Sequence, residues 1–242
     1  MNRIILLALC LGLFSCTSNT NSNIPSSSTY QELVSLFQDW RSFENPPKLN
    51  GAPDYRKTTF QSRANEFDLL RATLNAFDTT GWPIPNQVDY HIVWAEMNGY
   101  DFNQRILKPW ERDPAFYKSL WMSRSDVPAH EGPTHHGTTE IWTYDFPLNT
   151  ASKAKLLSEL EAIPALNEQA RENLTGNARE LWIAGIRSIE QQSNDLATIK
   201  SWEGISNQPE LTTAIDAAIN STNEFVDWLK TEGNKKTGPS GL

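Results

Sequence analysis

The sequence predicts an all-α protein, a multi-helix bundle of long antiparallel helices with an irregular, proline-rich segment in the middle. Two observations support this fold class. Apolar residues recur at steps of three and four along most of the chain, which is the spacing of one face of a helix. No run of alternating β-branched residues competes with that pattern, and no repeat of fixed length indicates a solenoid.

The first two helices are predicted on either side of a proline pair. An apolar stripe over residues 30–40 precedes the prolines at 46–47, and a longer stripe covers residues 60–77. The glycine- and proline-rich turn at 81–85 ends the second stripe, because neither residue type readily continues a helix.

The third predicted helix has the strongest apolar pattern. One stripe alternates steps of four and three through Val88, Ile92, Ala95, Gly99, Phe102 and Ile106. Trp94, Met97 and Tyr100 make the neighbouring face apolar as well. Because a helix that is apolar on more than one side is usually buried, we predict that this helix is central in the bundle.

The middle of the chain is predicted to be irregular. Five prolines between residues 109 and 147 interrupt the helical period and leave room for a short helix around 115–120. The period then returns in four successive stretches: 156–163, 166–174, 181–199 and 211–229. These predict four more helices, and the regular alternation of the last one suits an antiparallel neighbour.

The N-terminal residues predict export. Arg3 precedes an apolar run over residues 4–14, which is too short to span a bilayer but suits a signal peptide. Ser15 before Cys16 then resembles the lipobox of bacterial lipoproteins, where the cysteine is lipid-modified and becomes the new N-terminus. We therefore predict a signal peptide over 1–15 and lipidation of Cys16; the alternative is an ordinary secretory signal that contains a cysteine.

The mature chain is expected to consist of a tether and one folded domain. Residues 16–28 are rich in Ser, Thr and Asn and predict a flexible tether, and residues 29–242 predict the helical domain. Cleavage removes only Arg3 among the charges and leaves 20 basic against 29 acidic side chains, which argues against nucleic acid as a partner. Thr17 and Ser18 lack an acidic retention signal, so we predict the periplasmic side of the outer membrane.

A histidine-rich loop invites comparison with zinc peptidases. It contains His130, His135 and His136, with Glu131 after the first. The zincin arrangement needs two histidines four residues apart on one helix, whereas here the spacing is five with Gly and Pro between. We assign no catalytic and no metal residue, and whether this loop binds a metal stays open.

Two further polar sets have a chemical and a structural interpretation. The first set lies at seven-residue intervals on the third helix and comprises Asp89, Glu96 and Asn103, with His91 nearby. It could line a polar groove or pair an acid with a base, or it could form a salt-bridge strip. The second set surrounds the Pro-Trp pair at 109–110 and comprises Arg105, Lys108, Arg112 and Asp113. It could bind an anion or act as a structural clamp.

Several motifs together resemble those of the bacterial domain-of-unknown-function 885 family. They occur in the order that the family uses: 89–99 (DYHIVWAEMNG), 108–117 (KPWERDPAFY), 142–148 (WTYDFPL), 163–164 (IP), 169–174 (QARENL), 228–229 (WL) and 237–241 (TGPSG). The resemblance implies a helical, zinc-peptidase-like protein of roughly twice this length, often exported, with a His-Glu motif followed by Pro-Gly-His in its second half. This chain stops before that half, so zinc is expected only together with the missing half.

Two functional hypotheses follow. The first is an N-terminal, non-catalytic lobe that packs against a missing C-terminal catalytic half and has no peptidase activity alone. The second is a stand-alone periplasmic lipoprotein that binds peptides or another protein, which requires a closed core at residues 238–242. In both hypotheses the chain contacts a membrane through its lipid anchor.

Overall fold

The computed structural model of the chain describes residues 29–124 and 137–241. The predicted signal peptide, the tether with Cys16, and the loop with His130, His135 and His136 lie outside these ranges. Within them the chain forms eight α-helices: α1 (Tyr30–Glu44), α2 (Lys57–Asn75), α3 (Ile84–Phe102), α4 (Pro109–Arg112), α5 (Thr150–Asn173), α6 (Arg179–Lys200), α7 (Glu203–Ser206) and α8 (Pro209–Gly233). Six of these are long, so the all-α bundle prediction is confirmed.

Short elements connect the helices. The antiparallel strands β1 (Lys48–Leu49) and β2 (Ala52–Pro53) link α1 to α2, and the parallel strands β3 (Leu120–Trp121) and β4 (Thr139–Glu140) lie in the irregular segment. A π-helical turn over Asn103–Leu107 extends α3. The short helix predicted around 115–120 is instead a 3-10 turn over Pro114–Tyr117 followed by β3, because Pro114 starts the turn and the pairing with β4 extends the chain after it.

The first three helices form an up-down-up unit. Arg63 in α2 donates to the carbonyl oxygen of Phe43 near the end of α1, so these two helices run antiparallel. The Tyr30 hydroxyl at the start of α1 donates to Asp89 near the start of α3 at 2.7 Å, so these two run parallel. The core of this unit comprises Leu33, Leu36, Trp40, Phe43, Phe67, Leu74, Phe77, Val93, Met97 and Tyr100.

The helices α5, α6 and α8 form a second up-down-up unit. Lys153 and Glu210, at the starts of α5 and α8, form an ion pair of 2.7 Å, so these helices are parallel. Trp182 at the start of α6 packs 5.9 Å from Trp228 at the end of α8, so those two are antiparallel. The core of this unit includes the fully buried residues Leu156, Leu160, Ile163, Leu166, Ile189, Leu196, Ile199, Leu211, Ile215, Phe225 and Leu229.

Helix α5 corrects one prediction. The two separate helices predicted on either side of Pro164 form one continuous helix. Pro164 has no N–H to donate to the preceding turn, which costs a helix interior about 3 kcal/mol. Ile163 and Leu166 beside it are fully buried, and their packing offsets that cost.

Polar side chains of α5 connect the two units. Gln169 accepts a hydrogen bond from the Tyr55 N–H and donates one to the Pro53 carbonyl oxygen, each at 3.0 Å. Asn173 donates to the Tyr55 carbonyl oxygen at 3.0 Å and to the Tyr117 hydroxyl at 2.9 Å. The chain between β2 and α2 is therefore fixed to α5 through buried amides, which satisfy its backbone groups.

Asp54 closes this connection and is sensitive to pH. Its carboxylate accepts from the Arg56 guanidinium at 2.7 Å and from the Thr59 hydroxyl at 2.8 Å, and it is buried. Hydrogen bonds from Arg56, despite the opposing effect of burial, hold the pKa of Asp54 below its ordinary value. A carboxyl group whose pKa is lowered by folding stabilises the protein above the unfolded pKa of about 4 and loses that contribution as the pH falls through the folded value.

We therefore expect Asp54→Asn to lower the free energy of unfolding at pH 7 and to weaken its decline between about pH 5 and pH 2. Urea denaturation at several pH values measures this difference. Asp68→Asn is the matched control, because Asp68 pairs with Arg71 on the surface of α2. If the free energy of unfolding of Asp54→Asn fell as steeply with decreasing pH as that of the unmodified chain, the Asp54 carboxylate would not be the cause of the acid sensitivity.

Candidate functional site

Helix α3 has one buried face and one exposed apolar face. Val93, Met97 and Tyr100 are buried against α1 and α2. The opposite side, continued by the π-helical turn, carries five large apolar residues with exposed fractions between 36% and 70%: Ile84, Val88, Ile92, Phe102 and Ile106. We call these five residues the α3 face. The prediction that α3 is central is therefore wrong, because its strongest apolar stripe faces outward.

A groove beside α1 continues the α3 face. It has a volume of about 240 Å³ and is lined by Tyr30, Leu33, Val34, Phe37, Asp89, Ile92 and Val93. Six of these seven residues are apolar or aromatic, so the surface of the groove is mainly apolar, and Asp89 contributes its one carboxylate. Such a surface, larger than scattered single residues, is typical of a contact region.

Hydrogen bonds fix α3 on α1 along this groove. Besides the bond between Tyr30 and Asp89, Glu96 accepts from the Trp40 indole at 3.2 Å and from the Arg41 guanidinium at 2.9 Å. The hydrogen bond to Asp89 is the main cause that raises the pKa of Tyr30. These hydrogen bonds hold α1 and α3 in place on either side of the groove, so the groove is already formed without a ligand.

These contacts also decide the role of the polar row on α3. Asp89 and Glu96 bind residues of α1 and do not face each other as an acid and a base. Asn103 begins the π-helical turn, and its carbonyl oxygen accepts from Lys108 N–H at 2.7 Å. His91 is exposed and packs against the Tyr90 ring. Asp89 and Glu96 are therefore structural residues that connect α1 and α3, and neither Asn103 nor His91 joins them in a polar site.

The polar set around 109–110 is also structural. Arg105 pairs with Asp101 on its own helix at 3.0 Å. Arg112 donates to the carbonyl oxygens of the C-terminal residues Ser240 and Gly241. Asp113 accepts from the Ala115 N–H at 2.9 Å and so starts the following turn. Lys108 adopts a left-handed conformation with φ of 45° between the π-helical turn and α4. These side chains do not converge on one anion, and Arg112 is a clamp.

An aromatic niche between the two units is the second concave feature. It is lined by Glu44, Pro46, Tyr55, Phe60, Arg63, Tyr100, Asn103, Gln104, Pro109, Trp110 and Phe116. Its free volume of about 20 Å³ holds roughly one water molecule. Burial raises the pKa of Tyr100 to about 12, so this phenol stays protonated at neutral pH and is not poised as a base. The niche is too small for a substrate.

In residues 29–124 and 137–241, no group of three or more His, Cys, Asp and Glu side chains is placed to hold a metal ion. No helix in those same ranges combines the length and apolar character needed to cross a bilayer.

Comparisons with known proteins identify a likeness of fold. No protein-family model matches the chain, and no curated protein matches it. A solved structure from Shewanella oneidensis, described as a candidate lipoprotein of unknown function, matches with a TM-score of 0.55 at 16% sequence identity. The match covers 85% of this chain and 36% of that chain, so this chain corresponds to little more than a third of the other protein's length.

Proposed function

We propose that this chain is a lipid-anchored, non-catalytic helical lobe whose α3 face packs against a helix of a second polypeptide. The α3 face is the observation that carries the proposal. Its exposed apolar side chains extend from Ile84 through Phe102, a distance of about 27 Å at the rise of an α-helix. Burying large aliphatic and aromatic side chains contributes roughly 1.5–3 kcal/mol each, which gives a partner a substantial driving force.

The geometry favours a helix as the occupant. The unit of α1, α2 and α3 has three helices around one apolar core. The groove lies between α1 and α3, where the fourth helix of a four-helix bundle would pack. A helix with apolar residues at steps of three and four would fill the groove and cover Val88 and Ile92 together.

The solved structure supports a longer architecture. More than half of that chain lies beyond the part that this fold matches, and a separate polypeptide equivalent to that remainder would supply the partner surface. The resemblance to the domain-of-unknown-function 885 family leads to the same proposal, with the partner as a zinc-peptidase-like half. Under this proposal the present chain has no catalytic residue, and zinc belongs to the other half.

The envelope location is part of the proposal. The lipobox-like sequence ending at Cys16 and the description of the solved structure as a candidate lipoprotein both favour a lipid-anchored protein. The composition of residues 17–18 favours the periplasmic side of the outer membrane. Globomycin-type inhibition of lipoprotein processing should retain the precursor, and Cys16→Ala should release the domain from the membrane fraction.

The α3 face gives a direct test. We expect the purified domain to self-associate or to bind a hydrophobic dye, and Val88→Glu with Ile92→Glu to reduce either signal at least fivefold, because the two carboxylates interrupt the apolar surface. Sedimentation and dye fluorescence measure this. The matched control is Leu69→Glu with Ile183→Glu, since these aliphatic residues are 58% and 38% exposed outside the α3 face. A dye-silent monomer before substitution would contradict the proposal.

A photoreactive side chain at position 92 identifies the occupant in cells. An adduct with a polypeptide is the expected product, because Ile92 belongs both to the α3 face and to the groove. An adduct with lipid would show that the face contacts the bilayer instead, and the proposal would be wrong. The stand-alone peptide-binding lipoprotein remains the alternative; it predicts adducts with many peptides and no defined partner chain.

A further inference from the structure

The aromatic niche between the two units is a binding site of its own. We propose that it binds one water molecule, which accepts a hydrogen bond from the Trp110 indole and donates one to the side-chain oxygen of Gln104. The water thereby joins α4 to the π-helical turn that extends α3. The proposal does not depend on the α3 face or on a second polypeptide.

The Trp110 indole supplies the donor. Its nitrogen is buried, and the residue as a whole is only 5% exposed. Within residues 29–124 and 137–241, this nitrogen has no hydrogen-bond partner. The ring packs against Phe60 with the centroids 4.9 Å apart, and a phenyl ring has no oxygen or nitrogen that could accept the proton. A buried N–H group that has lost its hydration is costly without an acceptor, so such groups nearly always have one.

The Gln104 amide supplies the acceptor. Its side-chain oxygen is also buried and has no hydrogen-bond partner in the part of the chain that the structure describes. Gln104 is the second residue of the π-helical turn, and it lines the same niche as Trp110. One unpartnered donor and one unpartnered acceptor therefore border one cavity. A water molecule satisfies both, because it accepts and donates at the same time.

The size of the niche selects the ligand. Its free volume is about 20 Å³. A cavity needs roughly 10–15 Å³ of such volume to hold one water molecule, and it needs polar partners as well. Most of the wall consists of aromatic rings and prolines, and a wholly apolar cavity would stay dry. The indole N–H and the amide oxygen are what make a bound water favourable here.

The bridge joins parts of the chain that belong to different units. Gln104 extends α3 of the first unit. Trp110 is fixed to the second unit, because its carbonyl oxygen accepts from the hydroxyl of Tyr117 at 2.8 Å and Tyr117 lies in the core of that unit. The water therefore adds a hydrogen-bonded link between the units, separate from the one that Gln169 and Asn173 of α5 provide.

The same link spans a strained stretch of backbone. Lys108 lies between the π-helical turn and α4 and has a left-handed conformation with φ of 45°, which is unfavourable for a residue with a β-carbon. Gln104 precedes this residue and Trp110 follows it. A water held by both side chains stabilises the turn geometry on either side of Lys108.

Nuclear magnetic resonance of the purified protein tests the site. The Trp110 indole proton is expected to show a cross-peak to water with the sign of a direct dipolar contact, which is opposite to that of chemical exchange in the rotating frame. Trp110→Phe identifies the signal among the nine tryptophans. Trp182 is the matched control: in the described ranges its buried indole nitrogen also has no partner, but it does not line the niche. We expect no such cross-peak from Trp182.

Replacing the acceptor gives a second measurement. Gln104→Leu is expected to weaken the cross-peak at Trp110 about fivefold or more, because the water loses one of its two hydrogen bonds. Gln191→Leu makes the same change at an exposed glutamine outside the niche and should leave the cross-peak as it was. In a double-mutant cycle, Gln104→Leu and Trp110→Phe should be coupled by about fivefold in the unfolding equilibrium constant.

Three results would overturn the proposal. A Trp110 indole proton without a water cross-peak would show that the niche is dry. A cross-peak that Gln104→Leu leaves unchanged would show that the water does not depend on this acceptor. Equal cross-peaks from Trp110 and Trp182 would show that water reaches buried indoles without a built site. If Trp110→Phe does not fold, Gln104→Leu carries the test, since Gln104 is only half-buried.

Discussion

Replacing Trp40 with alanine is expected to lower the free energy of unfolding by about 3–5 kcal/mol. The Trp40 side chain is fully buried at the centre of the first unit. Its ring packs 5.8 Å from Phe43, 6.0 Å from Phe67 and 5.3 Å from Tyr100, and its indole donates to Glu96. The substitution removes these ring contacts, leaves a cavity and deprives Glu96 of one donor.

The control for this prediction is another tryptophan of the same unit. Trp94 is 47% exposed, so Trp94→Ala is expected to cost about 1 kcal/mol or less. Urea denaturation followed by far-UV circular dichroism measures both variants without depending on tryptophan fluorescence. Similar losses for the two substitutions would mean that the packing around Trp40 does not stabilise the first unit as described.

The loss at Trp40 also bears on the proposed interaction surface. Trp40 and Glu96 connect α1 to α3 on the inner side of the helix whose outer side is the α3 face. Destabilising this connection is expected to loosen the groove, whereas Val88→Glu with Ile92→Glu changes only exposed positions. Comparing the two kinds of variant separates effects on the fold of the first unit from effects on its surface.

The positions of the helices could be predicted because apolar periodicity is a local property of the sequence. The stripe over 30–40 lies within α1, the stripe over 60–77 follows α2 and ends two residues beyond it, and their residues Trp40 and Phe67 are buried. Periodicity did not reveal which face of α3 is buried, because both faces are apolar. Only the packing of α1 and α2 against Val93 and Met97 decides it.

The candidate sites could be predicted only in part, because their contacts join residues far apart in the sequence. The 237–241 segment stands out in the sequence as a turn-rich motif, but its docking onto residues near 177–181 has no local sequence pattern. The same limit explains Pro164, where long-range packing outweighs a local helix breaker. A useful indication was available at Ala178: a helix start without a capping side chain requires a cap from elsewhere.

Gln192→Leu is the substitution outside the first unit with the largest expected effect, about 3–5 kcal/mol of lost stability. Gln192 has no exposed surface, and its side-chain oxygen accepts from the N–H groups of Ser119 at 2.5 Å and Leu120 at 3.2 Å. Its amide nitrogen donates to the Thr222 hydroxyl at 3.4 Å. Leucine has a similar volume but accepts no hydrogen bond, so two buried backbone donors would lose their partner.

Gln191→Leu is the matched control, since Gln191 is exposed and makes a single side-chain hydrogen bond, at 2.8 Å to the Asp195 carboxylate on the same helix. It is expected to change stability by less than about 1 kcal/mol in denaturant unfolding. Hydrogen exchange should show in addition that Gln192→Leu releases the amides of Ser119 and Leu120 before the rest of the second unit, because the side-chain oxygen of Gln192 accepts from both of these N–H groups. Equal losses for the two glutamines would mean that β3 is held by its strand partner and by apolar packing, and that the buried amide contributes little.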